Sequence, residues 1–182
     1  MKTTVACALA TIMAAGPAAA AISVLGGGLA QDCYKAAQAG KSDSASEGMC
    51  SLALETEFLT PQDRGGTLVN RGVMKLRRGE YNAAHADLDA GIAMIPEVGE
   101  GWINRGAMFI SLHRYKEALD DLNKALTLGL KEPAKAYFNR GVAYEGLDDE
   151  THAYLDYQQA LVLEPGWELP QHELLRFTVT RR

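Results

Sequence analysis

An all-α fold, a solenoid of antiparallel helix pairs, is what the sequence predicts, on three observations. The tripeptide Asn-Arg-Gly recurs at Asn70-Arg71-Gly72, Asn104-Arg105-Gly106 and Asn139-Arg140-Gly141, with spacings of 34 and 35 residues. Self-similarity at such a period marks stacked supersecondary units. Each copy then continues in register, with alanine at Ala84, Ala118 and Ala153, and a large residue at Leu88, Leu122 and Tyr157. Finally, apolar and small side chains recur at helical spacing, as at Trp102, Gly106 and Phe109.

The chain of 182 residues is 47% apolar and 23% charged, with a formal net charge of −5. Those values exclude a disordered, collagen-like or multi-pass membrane protein. Without a basic surplus to neutralise phosphates, a nucleic-acid partner is not expected. From Thr3 to Ala30 no residue is charged, Lys2 precedes the run, and Ala18-Ala19-Ala20-Ala21 follows Gly16-Pro17. This is the composition of a signal peptide over residues 1–30, with cleavage expected after Ala20 or after Ala30. An uncleaved membrane anchor is the alternative, because about 20 apolar residues span a bilayer. Cys7 would leave with the signal, and the apolar stretch before it is too short for a lipoprotein. The expected location is the periplasm or secretion, in a bacterial envelope.

Each repeat reads as two helices joined by a short turn. First helices are expected near Leu68–Arg77, Trp102–Leu112 and Tyr137–Gly146, and second helices near Asn82–Met94, Lys116–Leu128 and Thr151–Leu163. Glycine and alanine mark positions where two helix backbones approach closely. Pro96 and Pro165 end second helices, since proline cannot continue them.

The pattern resembles the tetratricopeptide repeat (TPR) family, whose motif is aromatic-x-x-Leu-Gly-x-x-aromatic, a later small residue, a large apolar residue and a closing proline. Trp102, Gly106, Phe109, Ala118 and Leu122 match it, as do Tyr137, Gly141, Tyr144, Ala153, Tyr157, Ala160 and Pro165. The resemblance implies a right-handed α-solenoid with units over residues 65–98, 99–132 and 134–167. The first copy departs from the motif, with Leu68 and Lys75 in the aromatic columns.

All three copies carry arginine where the family has leucine, and an aspartate sixteen residues later. An arginine in a helix seam must be paired or it is costly. The expected structural pairs are Arg71 with Asp87, Arg105 with Asp121 and Arg140 with Asp156, or with a neighbouring unit's aspartate. Cys33 falls in the arginine column and Cys50 in the large apolar column, and they are the two thiols left after cleavage. Residues 31–60 therefore read as a degenerate N-terminal hairpin, Asp32–Gln38 and Asp43–Glu55, closed by a Cys33–Cys50 disulfide. Such a loop closure is worth roughly 3 kcal/mol in the chain-entropy account. Residues 168–182 read as a capping helix, Leu169–Phe177, followed by a frayed tail. Leu174, Leu175 and Phe177 would cover the last repeat, with Gln171, His172, Glu173 and Arg176 facing water.

No Gly-x-Ser-x-Gly, phosphate loop or His-Glu-x-x-His is present, and His85, His113, His152 and His172 stand at no ligand spacing. No enzyme, metal or cofactor is expected. What remains is the groove that the resemblance implies along the first helices. Its expected lining is Val69, Asn70, Val73 and Arg77, then Ile103, Asn104, Ala107 and Ile110, then Lys135, Phe138, Asn139 and Val142. The asparagine column can bond a peptide backbone or cap bonds inside the solenoid; both readings stand at this level. The expected function is a scaffold or adaptor that binds a protein or peptide segment. A membrane-tethered assembly factor is the alternative, and a small-molecule binder or enzyme a third. Intact mass spectrometry tests the disulfide: reduction should add two hydrogens and release two alkylatable thiols that the native chain lacks.

Overall fold

The computed structural model describes residues 3–7, 18–24 and 28–181. After a short strand β1 (Thr3–Cys7), helices follow in antiparallel pairs: α1 (Leu29–Gln38) with α2 (Ser44–Thr56), α3 (Pro61–Arg77) with α4 (Tyr81–Met94), α5 (Gly99–Ser111) with α6 (Tyr115–Thr127), and α7 (Pro133–Glu145) with α8 (Glu150–Leu163). Helix α9 (Glu168–Leu174) packs on α8, and β2 (Phe177–Arg181) pairs antiparallel with β1. The result is an all-α TPR-type solenoid.

Helix α3 starts at Pro61, earlier than the expected Leu68 and ahead of the unit boundary at residue 65. Thr60 caps it, its hydroxyl oxygen accepting from the Asp63 backbone N–H at 3.1 Å, and Pro61 fills a position whose N–H needs no partner. Lys75 and Arg77 complement the dipole in its last turn. The turn after each first helix carries one left-handed residue in the same column, Gly79, His113 and Asp148. Only the glycine adopts it without a steric cost.

Small residues let the paired helices meet. A β-carbon on Gly72, Gly106 or Gly141 would stand 3.0, 2.9 or 2.7 Å from the side chain of Leu88, Leu122 or Tyr157. Those three large residues are fully buried and fill the seams. In α1–α2 the arginine column and the large-residue column hold Cys33 and Cys50, joined in a disulfide with Cα atoms 4.9 Å apart. Both sulfurs are buried, beside Met74 of α3. The N-terminal amides of α1 are bonded by a side chain the sequence did not single out: Glu57 accepts from Leu29 and Ala30 N–H at 2.6 and 3.1 Å.

The three arginines pair with their own units' aspartates through two bonds each. Nε and the Nη2 atom of Arg71, Arg105 and Arg140 donate to Asp87, Asp121 and Asp156 at 2.7–2.8 Å. The remaining Nη1 reaches back to the preceding unit, to Ser51, Asp89 and Asn123 at 3.1, 2.8 and 2.8 Å. Those three also share one repeat column, one residue after Cys50, Leu88 and Leu122. Two of the guanidiniums also lie over the motif's first aromatic, Arg105 at 5.0 Å from Trp102 and Arg140 at 5.2 Å from Tyr137.

At the C-terminus two expectations are corrected. Leu175 is 83% exposed and covers nothing, while Glu173 is buried and Arg176 is bound to Glu145 at 2.6 and 2.7 Å and to Glu173. Tyr157 donates to the same Glu145 at 2.9 Å, so the polar face of α9 closes a network at the end of the core. Burial, with Glu145 beside it, holds the Tyr157 hydroxyl far above its ordinary pKa. Residues 178–181, expected to fray, belong to β2; Thr178, Val179 and Thr180 are β-branched and favour extended backbone.

Burial alone would raise the Asp87 pKa, but bonds from Arg71 and Lys75 outweigh it and hold the carboxyl below its ordinary value. The stability contributed by a carboxylate depressed in this way is complete above its unfolded pKa, ~3.9, and is lost as pH falls through the folded value. Asp87→Asn should therefore cost ~1–3 kcal/mol at neutral pH. In urea titrations at decreasing pH, that deficit should shrink below about pH 4. A deficit independent of pH would sink the ion-pair account.

Candidate functional site

Asn70, Asn104 and Asn139 sit one per unit on α3, α5 and α7, on the side chain column immediately before each stapled arginine. Because neighbours in sequence on a helix point about 100° apart, an arginine turned into the seam leaves the asparagine turned toward the inner surface. What lies there is the chain's own segment 18–24, running extended along the inner helices.

Each asparagine holds one residue of that segment by both backbone groups. Asn139 accepts from Ala18 N–H and donates to its carbonyl, both at 2.8 Å. Asn104 does the same with Ala20 at 2.8 and 2.6 Å. Asn70 does so with Ile22, both at 2.8 Å. The segment thus runs from the third unit toward the first. In an extended strand the N–H and C=O of alternate residues point the same way, repeating every ~6.6 Å. The asparagine column matches that two-residue step. Of the two readings left open for these side chains, the structure shows backbone bonding to a strand, with all three amides fully buried beneath it.

The remaining expected groove residues divide. Ile103, Arg77 and Lys135 line a cleft of about 400 Å³ beside the segment. Arg77 donates to the Ala37 carbonyl at 2.8 Å, and burial lowers its pKa. Lys135 is paired with Glu132 at 2.5 Å. Val73, Ala107 and Ile110 are buried in the central core, with Val142 packed against it. Val69 and Phe138 do not line that cleft, but Val69 shares a buried cluster with Ile22 of the segment, and Ala18 packs against the cluster that holds Phe138. Val69 fills the space left by Gly91 and Gly101 between α3, α4 and α5, and Phe138 packs on Tyr157 and Trp167 with ring centroids 5.6 and 4.9 Å away. Like Ile103, both stand one residue before an asparagine, and all three are buried.

Among the described residues no group of three or more His, Cys, Asp or Glu side chains is placed to hold a metal. The histidines are spread over the fold; His113 contacts the Tyr115 hydroxyl and His152 pairs with Asp149, which caps its own helix. The chemistry of the site is that of neutral hydrogen bonds to a peptide backbone and apolar contact between them.

Comparison with known proteins agrees with this architecture. Residues 134–166 match the family model described as tetratricopeptide repeat. A stretch of 98 residues is 33% identical to the Hsp70-Hsp90 organizing protein of Triticum aestivum, covering 54% of this chain and 17% of that protein. The chain thus spans less than a fifth of that relative. Among solved structures, the Arabidopsis OM64 TPR domain is similar with a TM-score of 0.61 and 26% identity, over 64% of this chain and 96% of that one. The second TPR domain of human RPAP3, solved in complex with the HSP70 peptide SGPTIEEVD, gives 0.58 and 28%, again over 64% and 96%.

Amide exchange tests the clamp directly. A single net hydrogen bond is worth about 1 kcal/mol, so Asn104→Ala should speed exchange at Ala20 by about five- to tenfold while the α5 amides keep their protection. Unchanged exchange at Ala20 would remove the bond from the account.

Proposed function

We propose that this tetratricopeptide-repeat chain is a non-enzymatic interaction module that grips an extended segment of a protein partner along α3, α5 and α7. The observation that carries the reading is the set of six bonds from Asn70, Asn104 and Asn139 to one strand's backbone. A groove that can hold seven residues of its own chain in this way has the geometry to hold those of another. The RPAP3 domain offers a parallel, since it was solved with a peptide bound. That peptide carries two glutamates and an aspartate, whereas here the inner column is neutral and the nearby Arg77 and Lys135 are already engaged. A neutral segment is the better fit.

The reading places the module in a bacterial envelope, exported and acting as a scaffold or adaptor. Its support is the Lys2-led uncharged run to Ala30 and the Cys33–Cys50 disulfide, which suits an oxidising compartment. No helix among the described residues is long and apolar enough to cross a membrane.

A photo-crosslinking amino acid at Ile103, beside the clamped strand, tests both parts in cells. The expected adduct joins the chain to a partner protein in the envelope fraction, and it disappears in the Asn70→Ala, Asn104→Ala, Asn139→Ala variant when that variant keeps its helical circular dichroism. Adducts undiminished by the triple substitution would overturn groove binding. Adducts confined to the cytoplasm would overturn the location.

A further inference from the structure

We propose that the groove selects an uncharged extended segment with apolar side chains at alternate positions, a β-branched one lying over Gly66, and that residues 18–24 compete with the partner for it. The inference deepens the interaction reading above and rests on it. Six backbone bonds carry no sequence information, because every residue except proline offers the same N–H and C=O. Selectivity must come from what the strand's side chains meet.

Those environments differ sharply along the strand. Ala20, Ile22 and Val24 are 5%, 5% and 3% exposed, whereas Ser23 between the last two is exposed. Ile22 joins the central core with Val69 and Ile103, and Val24 joins Ala30 and Ala53 at the first hairpin. The floor beneath them is Gly66: a β-carbon there would lie 3.2 Å from Cγ2 of Ile22 and 3.4 Å from Cγ2 of Val24. Any larger residue at position 66 would press on both branched side chains. A charge at Ala20 or Ile22 would be buried without a partner, which is far costlier than one lost hydrogen bond. The sequence from Thr3 to Ala30 meets this requirement, having no charged residue.

The occupant is also removable. Cleavage after Ala30 would take the whole strand, and cleavage after Ala20 would take two of its three clamped residues. While attached it stands at high effective concentration and excludes a partner of similar affinity.

The test uses the full chain with Ala20→Pro and Ile22→Pro, which deletes the two N–H groups donated to Asn104 and Asn70. A second receptor, Ala20→Asp with Ile22→Asp, expels the strand by charge. The probe is a fluorescein-labelled peptide with the sequence of residues 17–25, followed by polarisation. Both receptors, once shown to keep wild-type helical circular dichroism, should bind it at least about tenfold more tightly than the wild-type chain, whose groove is filled. The same peptide with Ile22→Asp should bind at least about tenfold more weakly than the parent peptide. Either folded receptor failing to bind the parent peptide would overturn the competition. Equal binding of the Asp peptide would overturn the selectivity, while a crosslinked partner lost in the triple asparagine variant would still uphold the interaction reading.

Discussion

Each inner arginine ties three helices with one planar group, and the position of everything on the inner surface follows from that. Two nitrogens hold an aspartate of the unit's own second helix, and the third holds a polar residue of the unit before. A guanidinium has donors in a rigid fork, so these bonds set rotation as well as distance. Leucine at the same place would fill the seam and leave the helix freer to rotate about its axis. The asparagine stands next in sequence to the arginine, so fixing the arginine's direction also fixes where the amide points. Three such helices then present amides at the step of an extended chain.

The fold was legible in the sequence because packing imposes a period, and a period survives variation at single positions. The arginine–aspartate pairs and the cysteine pair were readable for the same reason: each occupies columns that face one another in every unit. What escaped is what has no period. The start of α3 at Pro61, the bond from Glu57 to the start of α1, and the β2 pairing at the tail each occur once.

The occupant of the groove was hidden by a conflict between levels of reading. Ala18–Val24 is rich in alanine, the best helix former, and sits in a run whose composition speaks of a leader. Intrinsic propensity is a weak preference, a few tenths of a kcal/mol per residue, and six hydrogen bonds with three buried side chains override it. The asparagine column did advertise a ligand with donors and acceptors at a regular step. Nothing in composition said that the ligand was already in the chain.

Neutral amide clamps on a backbone make an adjustable kind of binding. Each net hydrogen bond contributes about 0.5–1.5 kcal/mol, and none carries the desolvation penalty of a buried ion pair. Such a groove can hold a strand firmly by the sum and still release it from one end, asparagine by asparagine. A strand tethered in the same chain is present at millimolar effective concentration, so a free segment with equal contacts at micromolar concentration loses to it by about a thousandfold. A partner therefore gains the groove by making better side-chain contacts at Gly66 and beyond, or by meeting the chain after its own strand has gone. The same three asparagines can thus act as a closed latch in one form of the protein and as an open receptor in the other, with no change in the solenoid itself.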